Sequence, residues 1–253
     1  MRRVTLDDLV GIMGIQSLHP GALEMTKEFS ELMGFSKEQH LLEVASGSGE
    51  TSNWITGKYG CKITGIDYSH NMVKFATEKA QKNGLTENLK FLQADAHSLP
   101  FEGNTFDAAF SEAAVSPLDV KKVISEMTRV VKPGGKVGVH DMYWMKEPGE
   151  EKRKQFYEFE GFHPMFLEQW VEIFKECGLE VVHVEEKLDM MDTFYEDSTK
   201  DMGFQKGFLG ASKLLVKYGV GALKELYQEL QIAKTDIRDH IKYFVLIGKK
   251  AEE

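Results

Sequence analysis

Residues 43–49 (EVASGSG) resemble a ligand-binding turn, because they run from an apolar segment through closely spaced glycines into a helical pattern. Gly47 and Gly49 allow positive φ angles and a close approach of the backbone to a bound molecule. The helix that follows presents unpaired N–H groups in its first turn, where a carboxylate or a phosphate can bind. A turn of this kind also forms without any ligand, so by itself it indicates little about function.

Two aspartates follow the next two apolar segments at matching positions. Asp67 ends the segment after Ile66, and Asp95 and Ala96 follow the segment that ends near Gln93. A carboxylate at position 67 can accept both hydroxyls of a ribose, and hydrogen bonds to a charged group contribute roughly 1.5–3 kcal/mol each. Asp95 and the N–H of Ala96 are placed to read an adenine edge. Each aspartate alone is explained by a helix cap or a turn, but polar groups after three successive strands favour nucleoside binding.

These groups are positioned by an alternation of short apolar runs and helical patterns between residue 41 and about residue 186. The predicted strands are Leu41–Ala45, Lys62–Ile66, Lys90–Gln93, Phe106–Phe110, Lys136–His140, Glu180–Val184 and, after a gap, Tyr243–Ile247. The predicted helices are Glu50–Tyr59, Asn71–Asn83, Asp119–Val131 and Phe166–Cys177. The alternation predicts a parallel sheet covered by helices on both faces. In such a sheet, ligands bind outside the carboxyl ends of the strands, which is where the glycine turn and both aspartates are expected.

Composition and net charge exclude several classes of binding partner. The 31 Lys+Arg and 40 Asp+Glu residues give a formal charge of −9, which argues against nucleic acid because its binding depends on cations that neutralise phosphates. Cys61 and Cys177 form no CxxC pair, which predicts reduced thiols in a cytoplasmic protein. No stretch approaches the ~20 apolar residues that cross a bilayer, and no cluster of ligating side chains predicts a metal site. Asp7 and Asp8 interrupt the short apolar N-terminal run, which argues against an export signal.

Taken together, the motifs resemble those of class I S-adenosylmethionine-dependent methyltransferases. The first motif of that family reads roughly (D/E)-x-G-x-G-x-G, which residues 43–49 match with Ala45 in place of the first glycine. Further matching segments are Gly65–Ser69 with Met72, Asp95–Ala96 with Leu99–Phe101, Phe106-Asp107 and Lys132–Gly135. The resemblance covers residues 17–186 and the last strand. Within the superfamily, the chain is most similar to the small-molecule group (methyltransferase type 11) that includes quinone-biosynthesis enzymes.

This resemblance implies an α/β fold: a doubly wound, mostly parallel seven-stranded sheet with an antiparallel last strand and a helical cap. Its cofactor would be S-adenosylmethionine. The residues that the family motifs assign to the cofactor are Glu43, Ala45, Gly47, Gly49, Asp67, Tyr68, Met72, Asp95, Ala96 and Ser111. Glu43 and the backbone at Ala45 and Gly47 would hold the methionine part, Gly49 would permit close passage of the chain, and Ser111 would lie beneath the sulfonium. Tyr68 and Met72 would flank the adenine.

Three units are expected along the chain. Residues 1–40 would form an N-terminal helical cap, residues 41–187 with 241–253 the cofactor-binding domain, and residues 188–240 a helical insertion or lid. The insertion is expected at the mouth of the site, because the strands before and after it meet that edge of the sheet. Its aromatic and methionine residues are explained equally well by the core of a small subdomain and by an apolar pocket for an acceptor.

Transfer of a methyl group from a sulfonium depends mainly on alignment, which can contribute ~7–11 kcal/mol without an acid or a base. An acceptor that loses a proton would be helped by a histidine or a carboxylate. The candidates for that catalytic role are Glu112 and His140, and the candidates for the substrate pocket are His19, Asp141, Tyr143 and Trp144. Each of these residues is also explained by a structural role.

Two other functions stay open at this point. A nicotinamide-dependent oxidoreductase would be built on a similar sheet, but its GxGxxG/A fingerprint requires glycine or alanine where this chain has Ser52. A non-catalytic nucleoside-binding protein would keep the pocket without turnover. The sequence identifies neither the small-molecule acceptor, nor the accepting atom, nor the oligomeric state.

Overall fold

The computed structural model describes residues 22–160, 162, 164–187 and 239–252. The helices are α1 (Ala22–Met33), α2 (Glu50–Tyr59), α3 (His70–Lys82), α4 (Val120–Val130), α5 (Glu150–Glu160) and α6 (Leu167–Glu176). The strands are β1 (His40–Val44), β2 (Lys62–Asp67), β3 (Leu89–Gln93), β4 (Phe106–Glu112), β5 (Val131–Trp144), β6 (Leu179–Lys187) and β7 (Ile241–Lys250). His19 and most of the predicted insertion at 188–240 lie outside the described residues.

All seven strands form one sheet in the order β3-β2-β1-β4-β5-β7-β6. β1 pairs in parallel with β2 and β4, whereas β7 is antiparallel to both β5 and β6. The predicted fold is therefore confirmed, including the antiparallel last strand. The chain order reverses between β1 and β4, and a reversal of this kind opens a crevice at the carboxyl edge of the sheet.

Both faces of the sheet are covered by apolar side chains, as a parallel sheet requires. Neighbouring residues of β1 show the two faces, since Leu41 belongs to one core cluster and Leu42 to the other. The cluster on the α1–α2 face includes Phe29, Ile55, Phe110 and Ile247. The cluster on the α4–α6 face includes Ile124, Val139, Trp170 and Phe244. The strands are thus held rigidly from both sides, and their carboxyl ends carry the polar residues.

Side-chain caps set where two helices begin. The Ser69 hydroxyl accepts a hydrogen bond from the N–H of Met72 at 3.2 Å and starts α3. The Asp119 carboxylate accepts one from the N–H of Lys122 at 3.1 Å and starts α4. The cap residue of helix α2 is Gly49, which has no side chain. No capping side chain therefore occupies the N–H groups of the first turn of α2.

The structure differs from the sequence-based elements at a few places. Helix α5 was not predicted, because its sequence EEKRKQFYEFE is largely charged and has little apolar periodicity. Strand β5 begins at Val131, before the predicted start at Lys136. The pairing of β4 with β5 shifts register between Phe106 and Ala108, which accommodates this early start.

A matched pair of valine substitutions tests the packing of the sheet. Val139 of β5 is fully buried, whereas Val182 of the edge strand β6 is 48% exposed. We expect Val139→Ala to lower the free energy of unfolding by roughly 1.5–3 kcal/mol, because it removes buried methyl groups and leaves a cavity. Val182→Ala should cost less than about 1 kcal/mol. Urea denaturation of both variants measures the difference, and equal losses would contradict the described core.

Candidate functional site

The turn between β1 and α2 has a left-handed backbone at three alternate residues. The φ angles are 57° at Ala45, 50° at Gly47 and 73° at Gly49. A side chain at Gly49 would bring a Cβ atom within 2.8 Å of Ala76 and 2.9 Å of Phe91, so this glycine lets the turn pack on α3 and β3. A Cβ atom at Gly47 would meet nothing within 4 Å. Gly47 therefore borders open space, whereas Gly49 serves packing.

Asp67, at the end of β2, joins this turn to the start of the next helix. One carboxylate oxygen, Oδ2, accepts a hydrogen bond from the N–H of Gly47 at 2.8 Å. The other, Oδ1, accepts one from the N–H of Ser69, also at 2.8 Å. A carboxylate offers about four acceptor positions, so the same group can hold two backbone segments and a ligand hydroxyl. The aspartate therefore lies beside the glycine turn, at the position that the sequence predicts.

A pocket of about 370 Å³ opens where the ends of three strands meet the loop after β4. Its lining residues are Ala45, Ile66, Asp67, Tyr68, Ala94, Asp95, Ala96, His97, Ala114 and Leu118. The structure thus brings together five of the predicted cofactor residues. His97, Ala114 and Leu118 were not predicted, and a single histidine beside the Asp95–Ala96 pair carries no signal in the sequence.

The remaining cofactor candidates contribute in different ways. Tyr68 is 79% exposed, so its ring is available to a planar ligand. Met72 is buried in α3 and is not among the pocket-lining residues. Ser111 is also buried, and its hydroxyl donates to the carbonyl of Val44 at 2.8 Å, which ties β4 to β1. Met72 and Ser111 therefore support the residues around the pocket and do not line it.

Glu43 is a carboxyl group buried in β1 beneath the glycine turn. The hydroxyl of Ser52 donates a hydrogen bond to it from α2. Burial, together with the negative charges of Glu112 and Asp67, raises the pKa of Glu43 to about 8, although the hydrogen bond from Ser52 acts in the opposite direction. A buried carboxyl with this pKa is protonated at neutral pH. Ser52, which departs from the dinucleotide fingerprint, is thus the hydrogen-bond partner of Glu43.

The two catalytic candidates are register partners on neighbouring strands. Glu112 ends β4 and pairs with His140 of β5. The Oε2 atom of Glu112 accepts hydrogen bonds from the hydroxyls of Thr51, at 2.9 Å, and Thr26, at 3.1 Å. His140 is fully buried, and its ring lies 5.5 Å from that of Tyr243. Of the two, Glu112 is therefore the residue nearer to solvent.

Three of the candidates for the substrate pocket are buried and occupied by other contacts. Asp141 accepts hydrogen bonds from the N–H groups of Val115 and Met142, both at 2.8 Å, and from the N–H and hydroxyl of Ser116 at 3.1 and 2.5 Å. The Tyr143 hydroxyl donates to Glu186, and the ring of Trp144 packs on Phe156. Asp141 thus anchors the loop that follows β4, and none of the three lines the pocket.

The four bonds to Asp141 offset part of the cost of burying its carboxyl group. Burial nevertheless raises the pKa of Asp141 above its ordinary value. The anchored loop contains Ala113, whose φ is 53°, and Ala114, which lines the pocket. Asp141 therefore acts on the pocket indirectly, by holding this strained loop against β5.

The described part of the chain contains no group of three or more His, Cys, Asp or Glu residues placed to hold a metal ion. None of its helices combines the length and the apolar character needed to cross a membrane.

Comparison with known protein sequences identifies relatives. Residues 42–139 match the family model Methyltransf_11, described as a methyltransferase domain. An uncharacterised protein of Haemophilus influenzae is 31% identical over 214 residues, which are 80% of this chain and 81% of that protein. Methyltransferase GfsG of Streptomyces halstedii is 30% identical over 129 residues. That match covers 51% of this chain and 46% of GfsG, so the chain spans less than half of that relative.

Solved structures share the fold at lower sequence identity. The [4+2]-cyclase SpnF is 24% identical with a TM-score of 0.79, and the match covers 98% of this chain and 94% of SpnF. Phosphoethanolamine N-methyltransferase 2 of Haemonchus contortus, solved with S-adenosylhomocysteine, is 22% identical with a TM-score of 0.78. That match covers 97% of this chain and 56% of the other protein. At these identities the likeness shows the fold alone.

The raised pKa of Glu43 predicts how stability changes with pH. Between its ordinary value of 4.5 and about 8, the folded protein keeps a proton that the unfolded chain has released. The free energy of unfolding should therefore fall as pH rises through this window, by at most about 1.4 kcal/mol per pH unit from this group. Glu43→Gln has no proton to lose, so the variant should lack this slope in urea denaturation.

The control is Glu252→Gln, which removes a carboxylate exposed at the surface and paired with Lys249. Above about pH 5.5, this variant should keep the pH dependence of the wild type. If Glu43→Gln also kept it, Glu43 would be ionised in the folded protein.

Proposed function

Because the chain belongs to the class I S-adenosylmethionine-dependent methyltransferases, we propose that it transfers a methyl group from S-adenosylmethionine to a small organic acceptor. The observation that carries this proposal is the position of Asp67. Its carboxylate joins the glycine turn to the start of α3 at the rim of a pocket of about 370 Å³. Pockets for small ligands commonly occupy about 300–1,000 Å³.

The residues present fit the three parts of this cofactor. In this proposal Asp67 binds the ribose hydroxyls, Tyr68 the face of the adenine, and Asp95 with the N–H of Ala96 its edge, and all four residues line the pocket. The amino-acid tail fits the open space at Gly47 and the start of α2, where the uncapped first turn favours a carboxylate.

The charge of the site also suits a cation. Glu43 is neutral at neutral pH, so the negative charge near the glycine turn comes from Glu112 and Asp67, whose charges contribute to the raised pKa of Glu43. A sulfonium and an ammonium group are both attracted to such a region. The neutral thioether product would lack the sulfonium part of this attraction. The arrangement therefore supports tighter binding of the methyl donor than of an uncharged adenosine derivative.

S-adenosylmethionine supplies an electrophilic methyl carbon when it is bound. The protein must then hold donor and acceptor in line and exclude water. For a hydroxyl or ammonium acceptor, a proton must also be removed, and we assign that role to Glu112. Its Oε2 atom is oriented by the hydroxyls of Thr26 and Thr51, and His140 lies beside it on β5.

The ends of two strands support a position for the proposed acceptor pocket. Strand β6 ends at Lys187, whose register partner Tyr243 lies near the start of β7. The chain leaves and re-enters the sheet at its carboxyl edge, where Tyr243 pairs with Met142 of β5 and its ring lies 5.5 Å from that of His140. This tethering supports the proposal that residues 188–240 line the acceptor pocket.

The alternative functions have less support. Ser52 is buried and donates to Glu43, so position 52 carries a hydrogen-bonding side chain where the dinucleotide fingerprint has glycine or alanine for close packing. The fold is also shared with a protein named as a cyclase, so fold alone does not determine the reaction. Cofactor binding and methyl transfer therefore require separate tests.

Asp67→Asn tests cofactor binding. It should lower the affinity for S-adenosylmethionine and S-adenosylhomocysteine at least about tenfold, because the charge that holds the ribose is lost. Isothermal titration calorimetry measures both affinities. The matched control is Asp107→Asn. Asp107 also accepts a hydrogen bond from a backbone N–H, that of His40 at 2.7 Å, but it lies near the start of β4, at the edge of the sheet opposite to Asp67. Affinity should be unchanged in the control, and an unchanged affinity in Asp67→Asn would mean that the ribose binds elsewhere.

Glu112→Gln tests catalysis. With a hydroxyl or amine acceptor, it should lower turnover roughly 100-fold or more, since the proton acceptor is removed while the amide oxygen can still accept from Thr51. Transfer of an isotopically labelled methyl group to a panel of amines, phenols and thiols provides the measurement. Cofactor affinity should change little, and a loss confined to cofactor affinity would assign Glu112 to binding. Cofactor binding without transfer to any acceptor would favour a non-catalytic protein.

A further inference from the structure

His97 lies in the pocket and has no role in the function proposed above. The Oδ1 atom of Asp95 accepts hydrogen bonds from the backbone N–H of His97 at 2.9 Å and from its ring Nδ1 at 2.7 Å. On the opposite side of the ring, Nε2 lies 3.2 Å from the backbone nitrogen of Asp119. One imidazole thus connects the loop after β3 with the first residue of the α4 cap.

The contact with Asp119 determines the tautomer of this ring. A backbone N–H can only donate, so Nε2 must accept, and the proton of the neutral imidazole is on Nδ1. That proton points to Asp95. His97 is therefore a donor on one side and an acceptor on the other.

The two bonds orient the carboxylate of Asp95. Both end on Oδ1, whereas Oδ2 accepts no hydrogen bond from the residues that the structure describes, and the side chain is 52% exposed. Donation from the backbone and ring of His97 lowers the pKa of Asp95 below its ordinary value, so the group stays ionised. An ionised oxygen accepts from an exocyclic amine and repels a carbonyl oxygen.

The other bond positions the opposite wall of the pocket. Asp119 caps α4 through the N–H of Lys122, and the neighbouring Leu118 lines the pocket. The His97 ring therefore fixes the distance between Asp95, which accepts from the edge of a base, and Asp119, the neighbour of the pocket-lining Leu118. This distance limits which flat ring fits between them.

We propose that His97 is a positioning residue that gives the pocket its preference for a purine with an exocyclic amine over one with a carbonyl. This inference rests on the proposed binding of an adenosyl cofactor. Selection arises because His97 orients the carboxylate of Asp95 toward the base. Without the imidazole, only the backbone N–H of residue 97 still holds Oδ1, so the carboxylate can rotate more freely and a carbonyl-bearing base meets less repulsion.

The test compares S-adenosylhomocysteine with S-inosylhomocysteine, which has a carbonyl in place of the amine, by calorimetric titration. The wild type should bind the adenosyl compound at least about tenfold more tightly. His97→Ala should lose about tenfold in affinity for the adenosyl compound and less than about twofold for the inosyl compound, which removes the selectivity. Equal losses for both compounds, or no loss, would overturn the proposal.

His97→Asn provides the rescue, because its amide can donate to Asp95 from the position of Nδ1. It should keep most of the selectivity for the adenosyl compound. A His97→Asn variant that binds the two compounds with equal affinity would overturn the proposal even if His97→Ala failed to fold. Failure of the wild type to bind either compound would instead overturn the proposed function itself.

Discussion

The hydrogen bonds of the Asp67 carboxylate are the interaction on which the pocket depends. One oxygen holds the N–H of Gly47 in the β1–α2 turn, and the other holds the N–H of Ser69 at the start of α3. Two loops from different βα units are therefore attached to one charged group. Hydrogen bonds to an ionised group are shorter and stronger than neutral ones, so this attachment keeps the glycine turn in place beside a rim that a ligand can approach.

The electrostatics of the site follow from its position between packed layers. Glu43 and Glu112 project from central strands toward the helices that cover one face of the sheet, where charge is costly. The structure lowers this cost in two ways. Glu43 shares a hydrogen bond with Ser52 and has a pKa of about 8, whereas Glu112 is held by the hydroxyls of Thr26 and Thr51. The charges of Glu112 and Asp67 at this edge suit a cationic methyl donor, whereas Glu43 stays neutral near pH 7.

Two polar residues outside the family motifs also shape the pocket. Asp141 accepts four hydrogen bonds and anchors the loop after β4, and His97 connects Asp95 with the start of α4. The motif residues therefore mark where a ligand binds, while these partners set the distance between the walls. Selectivity among similar ligands depends on such distances, because a buried or constrained polar group tolerates few misplaced partners.

Local sequence pattern was sufficient to predict the order of the elements and the grouping of the glycine turn with Asp67 and Asp95. The family resemblance predicted the antiparallel last strand. Apolar periodicity and turn residues act over a few positions, and the ends of parallel strands necessarily meet at one edge. The roles of Asp141, Ser52 and His97 were decided only by tertiary structure. Their partners Ser116, Glu43 and Asp119 are brought close by the packing of separate elements, and the type of a residue does not reveal which distant N–H or hydroxyl will reach it. Helix α5 belongs with these, because its sequence has little amphipathic pattern and Phe156 packs on Trp144 at the end of the preceding strand.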